Sequence, residues 1–180
     1  AKKHILMSKK LRHLFILFLT VFLVGVSAKY SLAQDRYWVN GSGAWNDPSH
    51  WALTSGGESG ASIPTKVNNV IFDDNSFTSN SQFVEIKDEV HCNDFIWQVN
   101  KYKPTLKSKS FFFKSITKSG LNVHGSMVIN ENLENQYCGD FILKSSDPSV
   151  LNINSQLTAD IIIDAITGEY KLANKLATEG

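Results

Sequence analysis

The chain has no Gly-x-Ser-x-Gly, no His-Glu-x-x-His and no Cys-x-x-Cys. Without the first there is no nucleophile elbow of the hydrolase type, and without the other two there is no compact zinc signature. Its two cysteines, Cys92 and Cys138, lack the partner pattern of a cysteine protease. No acidic residue stands ahead of position 34, although six of the 18 basic ones do. The remainder then holds 12 basic against 17 acidic residues, a net of −5, so the overall +1 misleads. A mildly acidic body with scattered lysines argues against nucleic acid, which leaves a basic patch as its footprint. The one locally basic stretch, Lys101 to Lys118, reads as a solvated loop face.

The composition still allows a core: 42% of the 180 residues are apolar, enough for one folded domain. The acid-free opening has the order of an export signal, with Lys9, Lys10 and Arg12 ahead of the uncharged run Leu14 to Ala28 and then Ser31-Leu-Ala33 as a small-x-small cleavage site. That run is shorter than the roughly 18 to 20 residues that span a bilayer comfortably. Residues 1–33 are therefore expected to be a signal-peptide helix, with Met7 as an ordinary signal start and membrane contact only during export. The product is expected outside the cell or at its surface.

Residues 34–62 concentrate Trp, Gly, Ser and Asn. Glycine permits tight turns with positive φ, and Asp47-Pro48 favours turn initiation. Trp38, Trp45 and Trp51 are expected to form an N-terminal cap over the first turn of the fold, near Val70 and Phe72, each ring burying a large area. An aromatic platform for sugar is the competing role.

From residue 63 to 180 a two-part pattern returns. An Asn or Asp precedes three apolar residues at Asn69, Asp94, Asp140 and Asp160, and an apolar-x-apolar pair follows at Val84/Ile86, Leu121/Val123, Leu151/Ile153 and Tyr170/Leu172. Variable spacers in a fixed grammar suit a coiled sheet whose turns pair with one another. The fold expected is all-β, a right-handed parallel β-helix (β-solenoid) of about four turns. Leu121, Val123, Leu151, Ile153 and Leu172 should then point into one shared core, with Leu121 over Leu151 and Leu151 over Tyr170. The longer spacers, 98–120 and 128–139, are the expected contact loops, with Phe111-Phe-Phe113 as a further strand.

Candidate chemistry is sparse. Asp73-Asp74-Asn75-Ser76 gathers oxygen donors that calcium would accept, but the same residues make turns through side chain to backbone bonds. Asp94, Asp140 and Asp160 occupy one repeat position, where opening a strand at a corner explains them better than acid-base catalysis. His50, His91 and His124 read as scattered surface histidines rather than zinc ligands. Cys92 and Cys138 each stand two residues before an Asp of the repeat. That places them on neighbouring turns about 4.8 Å apart, within the disulfide range of roughly 4.4 to 6.8 Å, as a disulfide or as stacked thiols. No cofactor is called for.

Tyr37-Trp-Val-Asn-Gly-Ser-Gly-Ala-Trp45, Asn46-Asp-Pro-Ser-His-Trp51, Ile63-Pro64, Val70-Ile-Phe-Asp-Asp-Asn-Ser-Phe77 and Cys92-Asn-Asp-Phe-Ile-Trp97 together resemble the N-terminal β-helical region of large exported surface proteins of Bacteroidota. Many of those carry PKD-like modules and a C-terminal sorting domain. The resemblance implies an adhesin-like, non-enzymatic surface segment truncated at its C-terminal end, with surface glycans or other cell-surface proteins as partners. It carries no catalytic residues over. A carbohydrate-binding module, or the leading turns of a polysaccharide-active enzyme, is the alternative.

Overall fold

The computed structural model describes Lys10 and residues 34–108, 120–165 and 167–173. The chain divides into two compact units, Ala1–Ser31 and Leu32–Gly180, and the strands lie in the second. The expected signal-peptide helix, apart from Lys10, and the Phe111–Phe113 strand lie outside the described residues. Among those described, no helix is long and apolar enough to cross a membrane.

Among the described residues, fifteen short strands carry the fold. They are β1 (Arg36–Trp38), β2 (Gly43–Ala44), β3 (Trp51–Ala52), β4 (Val70–Phe72), β5 (Phe83–Ile86), β6 (Val90–Cys92), β7 (Phe95–Trp97) and β8 (Thr105–Ser108). Then come β9 (Gly120–Val123), β10 (Met127–Ile129), β11 (Glu134–Gln136), β12 (Asp140–Leu143), β13 (Ser149–Ile153), β14 (Ile161–Ile163) and β15 (Tyr170–Leu172). Side chains of a strand alternate between faces, so β4, β7 and β10 each bury their outer two residues and leave the middle one half-buried.

The strands form three separate sheets. The first has seven strands in the order β15-β13-β10-β7-β4-β1-β3, the second four as β11-β8-β5-β2, and the third four as β14-β12-β9-β6. All pairings are parallel except that of β3 with β1, which makes the first sheet mixed. The single right-handed β-helix of about four turns is thereby corrected. The pairs taken as equivalent copies fall in different sheets: Val84/Ile86 in the second, Leu121/Val123 in the third, Leu151/Ile153 and Tyr170/Leu172 in the first.

The expected ladder is corrected with it. Leu121 pairs with Val90 and Phe141, and Leu151 with Met127 and Leu172, while Tyr170 aligns with Ser149. Leu172, placed in the core from the sequence, is 51% exposed. The physical reason is that an Asn or Asp can open a strand at any corner, because its short side chain satisfies backbone groups there. Asn69 and Asp94 precede strands of the first sheet, whereas Asp140 and Asp160 belong to the third. The signature marks where a strand begins and is silent on which sheet receives it.

One continuous core lies between the sheets. In the first, Val70, Phe95, Met127 and Leu151 align across four strands, and Phe72, Trp97, Ile129 and Ile153 align beside them. In the third, Cys92, Val123 and Leu143 align and are fully buried. Extended backbone requires each N–H and C=O to be paired, and corner residues continue the ladders: Val70 N–H donates to Asp94 O at 2.8 Å, and Phe95 N–H to Ser126 O at 2.9 Å.

Candidate functional site: a polar corner and a histidine pair

Trp38, Trp45 and Trp51 are all buried, at 0, 1 and 0% exposure, with ring centroids 5.9, 6.2 and 6.1 Å from that of Phe72. Indole N–H groups need partners once water is excluded. Trp38 Nε1 donates to Gly41 O at 2.6 Å and Trp51 Nε1 to Trp45 O at 2.7 Å, while Trp45 Nε1 is buried with no partner. The turn that delivers these rings is tight, since Asn40 and Gly41 both have positive φ, at 63° and 67°. Gly43 is needed for a different reason: a Cβ there would collide with the His50 ring. That ring stacks on Trp38 at 4.7 Å, and its Nδ1 meets Val39 O at 3.0 Å. With their faces spent inside the core, the three tryptophans present no platform to a sugar.

Where the chain leaves β4, β7 and β10, amide and carboxylate side chains meet at one corner. Asp73 Oδ1 accepts from Asn75 N–H at 2.9 Å, and Asp74 Oδ1 accepts from the N–H groups of Asn100 at 2.6 Å and Lys101 at 3.1 Å. The Asn100 bond leads in holding the Asp74 carboxyl below its usual range. Asn130 Nδ2 donates to Val99 O at 2.8 Å, and Asn132 N–H to Asn130 Oδ1 at 3.2 Å. Asp73 and the Asn130 oxygen thus close turns, while Asp74 and Asn130 Nδ2 tie segments 26 to 31 residues apart. Asp73, Asp74, Asn75, Gln98, Asn100 and Asn130 also line an open cleft of about 490 Å³, and Gln98, Asn100 and Asn130 come from the two long spacers. The oxygens considered for calcium serve these turns, and no cluster of three or more His, Cys, Asp or Glu that could hold a metal occurs among the described residues.

The three aspartates of the repeat do not share one place, although Asp140 and Asp160 stand side by side ahead of the aligned pair Phe141 and Ile161. Asp94 closes the corner before β7, its Oδ1 accepting from Ser126 N–H at 2.7 Å, whereas Asp140 opens β12 in register with Gly120 of the third sheet. The cysteines part company as well, because the register neighbour of Cys92 is Val123. Both are free, Cys92 buried and Cys138 exposed, so the disulfide and the stacked thiols are both corrected. Burial pushes the Cys92 thiol well up, and Asp94 adds to the shift. A thiol reagent such as Ellman's is accordingly expected to modify one cysteine per native chain, Cys138, and the second only after denaturation. Two fast-reacting thiols in the native protein would contradict this packing.

The histidines are not scattered. His91 on β6 and His124 just after β9 meet, with His91 Nδ1 3.3 Å from His124 Nε2 and the rings 5.6 Å apart. Glu89 Oε1 lies 3.7 Å from His91 Nε2 and accepts from Asn122 Nδ2 at 3.0 Å. Sequence reasoning missed the pair because 33 residues separate its members. Only the β6–β9 register, Cys92 opposite Val123, brings them to one edge.

No family model, curated protein or solved structure matches the chain.

Proposed function

We propose that this chain is an exported, non-enzymatic segment of a cell-surface protein, structural or adhesive in role. Its contact surface is the polar corner cleft. The observation that carries the reading is the convergence of the two long spacers, with Gln98 and Asn100 from one and Asn130 from the other beside Asp73 to Asn75 in one open, hydrophilic cleft. An amide-lined cleft suits a hydrated polar ligand such as a surface glycan, since it exchanges water bonds for bonds of similar strength while apolar groups stay in the core. The order of charges and apolar residues in 1–33 supports export, and the resemblance to Bacteroidota surface proteins supports the adhesive role.

The test has two parts. Expressed from Met7 in a Gram-negative host, the protein should leave the cytoplasm and begin near residue 34 by N-terminal sequencing; full-length protein confined to the cytoplasm would refute export. On an array of bacterial and host surface glycans, the chain should bind a subset. Gln98 is exposed, so Gln98→Ala should weaken that binding and Gln98→Trp, which obstructs the cleft, should reduce it about tenfold with the melting temperature unchanged. Binding indifferent to both substitutions, or absent altogether, would refute adhesion through this corner.

A further inference from the structure

The geometry points to a second site, independent of the corner cleft: we propose that His91 and His124 chelate a divalent transition metal, zinc or nickel, through His91 Nδ1 and His124 Nε2, with solvent filling the remaining positions. Two imidazole nitrogens held about 2.0 to 2.1 Å from a tetrahedral ion lie roughly 3.3 to 3.4 Å from each other. The pair stands at 3.3 Å without rearrangement. Without an ion the two rings hydrogen-bond to each other across that gap, a bond that the metal would replace.

The neighbours fit a metal ligand set. When Nδ1 of a histidine binds a metal, its Nε2 carries the proton and seeks an acceptor, commonly a carboxylate that fixes the tautomer and raises ligand basicity. Glu89 Oε1 lies nearest His91 Nε2, at 3.7 Å, and would have to close by about 0.7 Å to accept from it. Asn122, the register partner of His91, is tied to the same Glu89 oxygen, and its own Oδ1 is buried without a partner.

Coordination requires neutral imidazole. Lys144 and Lys66 lie close enough to His124 to act on it electrostatically. The two lysines also repel a cation. Affinity should therefore be modest and should fall as pH drops.

Titrating the full chain with zinc chloride by calorimetry, in a Cys138→Ser background that removes the exposed thiol, tests the site. Single-site binding should appear, and His124→Gln or His91→Gln should weaken it at least tenfold. Glu89→Gln should weaken it about tenfold while leaving both imidazoles in place. In nuclear magnetic resonance spectra, zinc should shift the ring signals of His91 and His124 and spare those of His50. Binding unaffected by either histidine substitution, or no binding up to millimolar zinc with both variants folded by circular dichroism, would overturn the proposal.

Discussion

Met127→Asp is expected to leave the chain without a cooperative unfolding transition. Met127 is fully buried, and its register neighbours on either side are Phe95 and Leu151, with Val70 beyond Phe95. A carboxylate there would have only apolar side chains beside it in its column. Its charge would go uncompensated, or the group would take up a proton and remain a buried polar group without a partner. Either outcome costs several kcal/mol, against a total stability of about 5 to 15 kcal/mol for a domain. Met127→Leu is the control, because a swap of similar volume should cost less than about 1.5 kcal/mol. Urea denaturation followed by tryptophan fluorescence would separate the two. A sigmoidal, near-native transition for the aspartate variant would show that position 127 faces solvent.

The strands were legible where the local rules are strict. An Asn or Asp followed by three apolar residues marks β4, β7, β12 and β14, and alternation marks the faces of β5, whereas all four residues of β9 are buried. The connections were not legible. Parallel register here depends on corner bonds that skip tens of residues, such as Asp94 Oδ1 with Ser126 N–H across 32 positions. A side-chain period of two says nothing of such a bond, so copies that looked alike were assigned to one stack when they belong to different sheets. The same blindness hid the histidine pair and misplaced the cysteines. Polar side chains at corners posed the opposite difficulty. Asp73, Asp74 and Asn75 look like ligands in sequence because the groups that bind a cation also bind backbone N–H, and only geometry tells which they do.

Phe72→Ala should be the most damaging simple truncation, because its ring packs the tryptophan-rich N-terminal segment against Phe95 and Trp97 of β7. Six aromatic neighbours lie around it: Trp97 at 4.5 Å, Phe95 at 5.6, Trp38 at 5.9, Trp51 at 6.1, Trp45 at 6.2 and Phe77 at 6.4 Å between ring centroids. Removing a buried phenylalanine costs about 3 to 5 kcal/mol through lost transfer energy and the cavity left behind. Tilted and edge-on aromatic contacts add about 0.5 to 1.5 kcal/mol per pair, which places this site toward the upper end. Large indoles on three sides cannot close the gap without leaving their own bonds, Trp38 Nε1 to Gly41 O and Trp51 Nε1 to Trp45 O. At about 2 to 4 °C per kcal/mol for a chain of this size, the melting temperature should drop by roughly 10 to 20 °C. The fluorescence of the four tryptophans reports on the same region and should shift to the red in the variant as water reaches the loosened rings. A loss below about 1 kcal/mol with unchanged emission would mean that the N-terminal segment is held by its strand pairing, Arg36 with Val70 and Tyr37 with Ile71, and that ring packing contributes little.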